Sequence, residues 1–308
     1  MPVILSGSFF GFANLLIFNL FIRLKKRTRE KLAVKKKVIK SDGRKQPFNE
    51  SKILNSLKMA GTSSALAKKT TEKLNKITVD GTATDTIYKD ALKDLRKYEP
   101  RSALKYSLKR AIMDMGPDGY TFEKYVARIF NSRGYETEHG RMVTGRCVKH
   151  ELDVIAKKDD RVYIIECKYH NDRGTKSNIK TALYVHSRYL DIREEFCDEG
   201  KDIMEVWLVT NTKVTADVKQ YAGCVGMNVL AWKYPGAKNL QYYIENNLLY
   251  PISILPGLSG SHKDLLYDND VITVKDIDFL GQKGLMELTG ISTKKAIRIF
   301  KELELLIH

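Results

Sequence analysis

The stretch between residues 120 and 234 limits the possible folds most, because strand-like and helix-like runs alternate along it. The first helical run, at 120–133, ends at Gly134, a residue type that commonly ends helices. The pattern then predicts strands at 136–141, 150–157, 161–168, 205–210 and 228–232, and helices at 175–192 and 215–222. Such alternation is typical of layered α/β structures, so we expect an α/β domain with a central mixed sheet.

The rest of the chain is predicted to be mostly helical and to form further domains. A β-hairpin signal at residues 42–43 opens a helical region, which stops at a Gly- and Pro-containing break at 116–119. Similar breaks occur at 235–236 and 256–261. We therefore expect a multidomain protein. Its predicted parts are an N-terminal segment (1–37), an α-helical domain with an N-terminal hairpin (38–117), the α/β domain (118–236), a linker (237–261) and a small helical tail (262–308).

Residues 3–22 carry no charged side chain and are long enough to cross a bilayer once. Basic residues follow this run and none precedes it, which fits poorly with a cleaved signal peptide and places the later domains in the cytoplasm. We expect an anchor in the inner membrane. The alternative is a mis-assigned start that adds non-native residues, although the next methionine, Met59, lies inside the next domain.

The formal net charge of the 308-residue chain is +16, which favours an anionic partner such as nucleic acid, a nucleotide or a membrane surface. The four cysteines form no CxxC pair, so a disulfide framework is not expected and a reducing compartment fits better. Cys147 and His150 have a CxxH spacing, but no second pair accompanies them, and a zinc site is not expected.

Two predicted neighbouring strands carry the clearest chemical signal, in the segments HELDVIA (150–156) and RVYIIECKYH (161–170). Side chains alternate along a strand, so Asp153 can lie beside Glu166 and Lys168, which share a face. Adjacent carboxylates repel each other unless a divalent cation joins them. A lysine beside them can orient or deprotonate water, as phosphodiester hydrolysis requires. The alternative is an ordinary solvated strand end.

The segment from about residue 119 to 234 resembles the Mrr-like branch of the PD-(D/E)xK nucleases, which have the restriction-endonuclease-like fold. The two motif strands and the opening TFEKYVARIFNSRGYETE carry the resemblance. It implies a metal-dependent endodeoxyribonuclease in which Asp153 and Glu166 bind Mg²⁺ or Mn²⁺ and Lys168 assists the attacking water. Glu123 on the opening helix matches the acid that often completes the metal site. Many Mrr-like members carry Gln where this chain has Glu166.

Two histidines flank the motif strands. The same resemblance allows His150 and His170 to contact DNA phosphates or to support a metal ligand. The alternative, which is the more frequent one for such histidines, is a structural role.

Residues 38–53, VIKSDGRKQPFNESKI, resemble the opening of the ATP-cone domain, the nucleotide-sensing module at the front of ribonucleotide reductases. The resemblance implies binding of ATP or dATP, with Lys40, Arg44 and Lys52 facing the phosphates. Tyr106 and Lys109 on the last helix are further candidates. The chain has no Gly-rich Walker loop, so we expect sensing rather than ATP hydrolysis. The alternative is a small helical domain with an ordinary basic hairpin.

The C-terminal stretch resembles a helix-hairpin-helix, with the hairpin at residues 288–292. Such hairpins point backbone N–H groups at a DNA phosphate without reading the base sequence. Gly290 would allow the close approach, and Lys294 and Lys295 open the second helix. The alternative is a small helical core without a DNA contact.

Together these resemblances imply a Mg²⁺-dependent DNA endonuclease that ATP or dATP regulates, acting as a homodimer or a nucleotide-dependent oligomer. Two alternatives remain open. One is a membrane-attached nucleotide sensor that binds DNA without cutting it, and the other is a nuclease that resolves Holliday junctions.

Overall fold

The computed structural model describes residues 36–159, 161–198 and 203–307. Within these ranges no helix is long and apolar enough to cross a membrane. The predicted anchor at residues 3–22 lies outside them.

The N-terminal unit is a short hairpin followed by four helices. Strands β1 (Lys37–Ile39) and β2 (Lys45–Pro47) pair antiparallel. In the turn between them Gly43 has a φ of +77°, which glycine adopts without strain. The helices are α1 (Glu50–Met59), α2 (Ser64–Ile77), α3 (Thr84–Tyr98) and α4 (Pro100–Met113).

The core of this unit joins the hairpin to the helices. Val38 from β1 is buried with Leu57, Leu74 and Leu95 from three successive helices. The side chain of Asn49 accepts a hydrogen bond from the Lys52 backbone N–H at 2.9 Å, which satisfies a free donor at the start of α1. The predicted hairpin followed by helices is therefore confirmed.

The central domain is built on a five-stranded sheet. Its strands and those of a small ribbon are β3 (Glu136–Thr144), β4 (Lys149–Lys158), β5 (Arg161–Lys168), β6 (Lys176–Ser177), β7 (Ile203–Thr210), β8 (Lys213–Val214) and β9 (Asn228–Ala231). The sheet order is β3-β4-β5-β7-β9. The first three strands are antiparallel and the last three parallel, which confirms the predicted mixed sheet. Strands β6 and β8 pair parallel outside this sheet.

Helices cover both faces of the sheet. Phe122 of α5 (Tyr120–Asn131) packs in a cluster with Val154 and Ile165 of the sheet. A separate cluster contains Ala182 of α6 (Ile179–Asp198), Leu208 of β7 and residues of α7 (Ala216–Val225). Both sides of the sheet are therefore buried, as expected where parallel strands are connected by helices.

The predicted helix at 175–192 begins later than the apolar pattern indicates. Lys176 and Ser177 pair with Lys213 and Val214 as a parallel ribbon. The Asn178 side chain accepts a hydrogen bond from the Lys180 backbone N–H at 3.0 Å, so the helix starts immediately after this ribbon. Tertiary pairing thus overrides helical propensity over these residues.

The segment at 237–261, predicted as a linker, is folded into the core. It contains α8 (Leu240–Asn246) and a 3₁₀ turn (Ile252–Ile254). Tyr250 and Ile252 are fully buried, and the Tyr125 hydroxyl donates a hydrogen bond to the Leu249 carbonyl. The Pro and Gly breaks on either side of the segment correctly indicate turns. The apolar side chains between these breaks, however, pack the segment against the domain.

The C-terminal part consists of α9 (Gly260–Asp268), α10 (Val274–Thr289) and α11 (Thr293–Ile307). Helix α10 is kinked at Gly281, where φ is +73°. It ends at Gly290, which has a φ of +69° and donates its N–H to the Met286 carbonyl. Leu285 and Leu303 share a buried cluster with Ile129 of α5, so this part packs against the central domain.

Direct contacts join the N-terminal unit to the central domain. Arg173, in the loop after β5, forms an ion pair with Asp85 of α3 at 2.6 Å. The Arg173 carbonyl also accepts a hydrogen bond from the Ser41 hydroxyl in the hairpin turn. In the same loop, the Tyr169 hydroxyl donates a hydrogen bond to the Met113 carbonyl of α4 at 2.6 Å. The loop that follows β5 is thus tied to the helical unit.

Candidate active site

The antiparallel register of β4 and β5 brings Asp153 next to the end of β5. Val154 pairs with Ile165, so Asp153 lies beside Glu166 in the next step of the ladder. An Oδ2 oxygen of Asp153 accepts a hydrogen bond from the Cys167 backbone N–H at 2.7 Å. This bond fixes the Asp153 carboxylate against the strand that carries Glu166 and Lys168.

A third acid comes from the helix that packs against the sheet. Glu123 lies in the first turn of α5, and its charge interacts with those of Asp153 and Glu166. All three acids are at least partly buried. The sheet and the helix therefore concentrate three carboxyl groups in one place.

Burial and mutual repulsion disturb the titration of these acids. Burial raises the pKa of Glu166 to about 7, and the neighbouring Asp153 adds to the rise. Burial also raises the pKa of Glu123 to about 7, again with a contribution from Asp153. The pKa of Asp153 is raised by burial in spite of its hydrogen bond from Cys167. Negative charge at this site is therefore incompletely compensated.

Lys168 lies at the exposed end of β5. Its positive charge lowers the pKa of Asp153 and of His170, after larger effects of burial on both. Lys168 is thus near the carboxyl cluster without being buried in it, and its ammonium is accessible to a substrate.

Arg188 is a site residue that the sequence did not predict. Its guanidinium forms an ion pair with Glu166 at 2.5 Å, and the two side chains are only 10% and 16% exposed. It also donates a hydrogen bond to the Glu151 carbonyl. The available signal was its position on α6: it follows the buried Val185 by three residues and precedes the buried Ile192 by four, so it lies next to the buried face, where a charged residue needs a partner.

The donor set fits a hard divalent cation. Among the described residues no three His, Cys, Asp or Glu side chains are arranged as a ready-made metal cage. Asp153 and Glu166 nevertheless offer two adjacent carboxylates, with Glu123 beside them, and their raised pKa values show negative charge that a cation would balance. Mg²⁺ typically binds one or two carboxylates and completes its shell with water and phosphate oxygens.

The two flanking histidines have partners within the domain. His150 forms a 2.7 Å contact with Asp191 of α6, and this carboxylate also accepts hydrogen bonds from the backbone of the turn before β4. His170 contacts the Ser177 hydroxyl at 3.0 Å, and burial lowers its pKa. Both histidines therefore support the strands that carry the acids.

Four of the five residues predicted to bind a nucleotide line two neighbouring cavities. Lys40, Arg44 and Lys109 line one, of about 400 Å³, and we call it the basic cavity. Tyr106 and Lys109 line the other, of about 350 Å³, which we call the aromatic cavity because Tyr88 and Trp232 also line it.

Two of the residues predicted to contact the nucleotide are less available for it than the sequence indicates. Lys52 lies in the first turn of α1 and lines neither cavity. The Arg44 guanidinium pairs with Asp42 at 2.5 Å, so part of its charge is already balanced within the hairpin turn.

The predicted DNA contacts of the tail lie around the turn between α10 and α11. Gly290 takes the left-handed conformation there, and a Cβ added to it would meet no atom within 4 Å. Lys294 is exposed, while the Lys295 ammonium lies 3.5 Å from a ring nitrogen of His262. The two helices joined by a tight turn that a helix-hairpin-helix requires are therefore present, and the DNA contacts of this turn stay a prediction.

Three family models match successive parts of the chain. The ATP cone domain matches residues 36–114, the restriction endonuclease family residues 116–234, and the AF1548-like C-terminal domain residues 250–307. A protein of Archaeoglobus fulgidus, described as uncharacterized, is 35% identical over 177 residues, which are 58% of this chain and 97% of that protein. The chain belongs to the AF1548-like family. A crystal structure of a protein of unknown function, AF1548, is 34% identical with a TM-score of 0.52, covering 61% of this chain and 97% of the other.

These matches confirm the fusion that the sequence motifs indicated. This AF1548-like protein has an ATP-cone domain in front of a restriction endonuclease domain of the Mrr type. Its C-terminal helices, which resemble a helix-hairpin-helix, match a domain named after the family. The protein is thus of a nuclease family and carries a nucleotide-binding domain.

Proposed function

We propose that the protein is a Mg²⁺-dependent DNA endonuclease whose activity responds to ATP or dATP. The observation that carries the proposal is the cluster of Asp153, Glu166 and Glu123. Burial raises the pKa of all three acids, and the charge of Asp153 adds to the rise at Glu166 and Glu123. Keeping such acids together is costly without a cation. Lys168 at the edge of this cluster supplies the amine that phosphodiester hydrolysis needs.

Each residue has a defined part in this proposal. Asp153 and Glu166 would hold Mg²⁺ or Mn²⁺, with Glu123 completing the site, and the bound cation would supply Lewis-acid stabilisation of charge on a phosphoryl oxygen. Lys168 would orient the attacking water, and its positive charge would stabilise the negative charge that develops in the transition state. The hydrogen bond from Cys167 would hold the Asp153 carboxylate in place during these steps.

Arg188 would act as a positioning residue. Without a metal its guanidinium balances Glu166, so the acid can remain ionised in a buried place. Because Arg188 also binds the Glu151 carbonyl, it links α6 to the strand that carries Asp153.

Plasmid cleavage in Mg²⁺ tests the proposal. The wild-type protein should nick or linearise supercoiled plasmid, while Asp153→Ala and Lys168→Ala should cut at least about 100-fold more slowly. Lys219→Ala, which removes an exposed charge from the same domain, should cut as the wild type does. Equal cleavage by all four proteins would reject the assignment, and tight DNA binding without any wild-type cleavage would favour the non-cutting sensor.

The turn that carries the exposed Lys294 would contact the phosphate backbone of duplex DNA or of a branched junction. Comparing linear duplex with a four-way junction separates a general endonuclease from a junction resolvase. We expect cleavage of both, since no described feature selects a branch. Cleavage of the junction alone would establish the resolvase alternative.

The ATP-cone domain would make the activity or the oligomeric state depend on nucleotide. Size-exclusion profiles recorded with ATP, with dATP and without nucleotide should differ, and a homodimer is the simplest form. Unchanged profiles together with no nucleotide binding by calorimetry would remove the sensing part of the proposal.

A further inference from the structure

The basic cavity lies between the two domains rather than within the ATP cone. On one side it is lined by the hairpin residues Lys40 and Arg44 and by Lys109 of α4. On the other side it is lined by Lys176 of β6 and Lys213 of β8, the ribbon that belongs to the endonuclease domain. Basic side chains from both domains therefore face the same space.

Across the described ranges of the chain, the four lysines that line this cavity, Lys40, Lys109, Lys176 and Lys213, form no ion pair with a carboxylate. The carboxylate of Asp42, which also lines the cavity, is held by Arg44 through a two-nitrogen contact. The cavity thus has a surplus of positive charge.

The titration of two lysines reflects this crowding. Burial lowers the pKa of Lys213, and Lys233, Lys176 and Lys40 lower it further. Burial also lowers the pKa of Lys109, with added effects of Lys213 and Lys233. Like charges held this close are relieved when a polyanion lies between them.

The aromatic cavity adjoins this charge cluster, because Lys109 and Lys213 line both cavities. Its other walls include Tyr106, stacked on Tyr88 at 5.1 Å between ring centroids, and Trp232 of the endonuclease domain. Each cavity alone has a volume within the usual range for small-molecule sites. A ligand with a flat apolar group in the aromatic cavity and phosphates in the basic cavity would contact the two shared lysines between its two parts.

We propose that a nucleoside triphosphate binds across the domain boundary, with its phosphates between the ATP-cone lysines and Lys176 and Lys213 of the endonuclease domain. The base and sugar lie in the aromatic cavity, against Tyr106 and Trp232. This inference rests on the proposed nucleotide sensing and adds to it that the endonuclease domain itself supplies part of the site.

A short segment of the chain connects this proposed nucleotide site to the candidate catalytic residues. The segment that starts at Lys168 at the end of β5 reaches Lys176 in the cavity after eight residues. Between them, the backbone of His170 exchanges two hydrogen bonds with the Asn211 side chain, and its ring contacts Ser177. Phosphates that bind Lys176 therefore act on the segment that fixes Lys168.

Calorimetric titration of the full chain with ATP and with dATP tests the shared site. Lys176→Ala and Lys213→Ala should each raise the dissociation constant about tenfold, the usual effect of losing one charge-assisted contact. Lys213→Arg should restore most of the affinity. Lys219→Ala is the matched control, because Lys219 is exposed on the same domain and lines neither cavity. Unchanged thermal unfolding of each variant verifies that it is folded.

The outcomes separate this inference from the proposed function. Wild-type affinity in both Lys176→Ala and Lys213→Ala, with weaker binding in Arg44→Ala, would overturn the shared site and leave nucleotide sensing intact. Loss of DNA affinity in Lys213→Ala without loss of ATP affinity would mean that the cavity holds a DNA backbone, and would also overturn it. No ATP or dATP binding by the wild type would remove both sensing and the shared site. Tenfold weaker binding supports the site even if the protein fails to cut DNA.

Discussion

At the residue scale, the site is defined by the imbalance between its acids and its cations. Three carboxyl groups converge, and only Glu166 has a direct ion-pair partner, Arg188, among the described residues. Glu123 and Glu166 both have pKa values of about 7, so each changes charge near physiological pH. A site built this way is expected to gain stability when a divalent cation binds and to lose affinity for it when the acids are protonated.

The Glu166→Gln variant tests this imbalance through stability. Because folding raises the pKa of Glu166 from 4.5 to about 7, the folded state binds the extra proton. The stabilisation that this bound proton gives to the folded state is therefore complete below pH 4.5 and is lost as the pH rises towards 7. Without metal, the variant should be more stable than the wild type at pH 8, with a smaller difference at pH 5.

Metal addition gives the complementary half of that test. Thermal unfolding of the wild type should shift upward by a few degrees with Mg²⁺ at pH 8 and much less at pH 5, while Glu166→Gln should show almost no shift. Glu136→Gln, on the exposed end of β3, is the control and should behave as the wild type does. A metal shift of equal size in Glu166→Gln would exclude Glu166 as a ligand.

Replacing Arg188 by alanine should cost about 1–3 kcal/mol of stability at pH 8, because Glu166 then loses its partner in a buried place. The loss should shrink at pH 5.5, where Glu166 takes up a proton. Urea unfolding at both pH values measures the effect. Arg193→Ala, an exposed change on the same helix, should cost little at either pH, and a similar cost for both variants would show that the ion pair contributes nothing.

At the element scale, the sequence predicted the strands that carry the acids, because the alternation in β4 and β5 is strong and the connection between them is short. Asp153 and Glu166 follow from that alternation alone. The Arg188 contact could not be predicted, since it depends on how α6 crosses the sheet. The β6–β8 ribbon was missed for a similar reason: each strand has two residues, too few for any periodicity.

The folded segment at 237–261 shows a second limit of sequence patterns. Pro and Gly breaks indicate where elements end, but they do not indicate whether the residues between them are buried. Tyr250 and Ile252 are buried because α5 and the C-terminal helices both pack there. Whether these residues are buried depends on which elements surround them in the folded structure. A local sequence pattern carries no information about those neighbours.

The turn between α10 and α11 carries an element-scale prediction for DNA binding. Lys294→Ala should weaken DNA binding and reduce the slope of log K against log salt by about 1, because one phosphate contact is lost. Lys301→Ala, further along the same helix, should leave the slope unchanged. Fluorescence anisotropy with a labelled duplex at several salt concentrations measures both. Identical slopes for wild type and Lys294→Ala would indicate that this turn does not contact DNA.

At the scale of the whole molecule, the ATP cone and the endonuclease domain meet at Asp85. This carboxylate binds Lys89 and Arg110 of its own unit and Arg173 from the loop after β5. Hydrogen bonds, with that from Lys89 the strongest, lower its pKa to about 2. The contribution of Asp85 to stability is therefore present above pH 3.8 and is lost as pH falls towards 2, so the contact persists under all ordinary conditions.

The Asp85→Asn variant should separate nucleotide binding from its effect on cleavage. Removing the charge weakens the contact to Arg173, which lies in the loop between β5 and Lys176 of the basic cavity. The effect of ATP on the cleavage rate should therefore shrink at least about threefold. Cleavage without nucleotide should be unaffected. Asp90→Asn on the same helix is the control. An unchanged ATP effect in Asp85→Asn would show that coupling does not pass through this contact.

The central claim is that Asp153 and its neighbours form a metal-dependent cleavage site, and a Mg²⁺ titration of the cleavage rate under single-turnover conditions tests it most directly. The account predicts that the wild type cuts DNA only when the metal is present and that EDTA stops it. Asp153→Asn should cut at least about 100-fold more slowly at every Mg²⁺ concentration, and Glu136→Gln should match the wild type. Cleavage by Asp153→Asn at the wild-type rate, or wild-type cleavage that EDTA does not stop, would contradict the account.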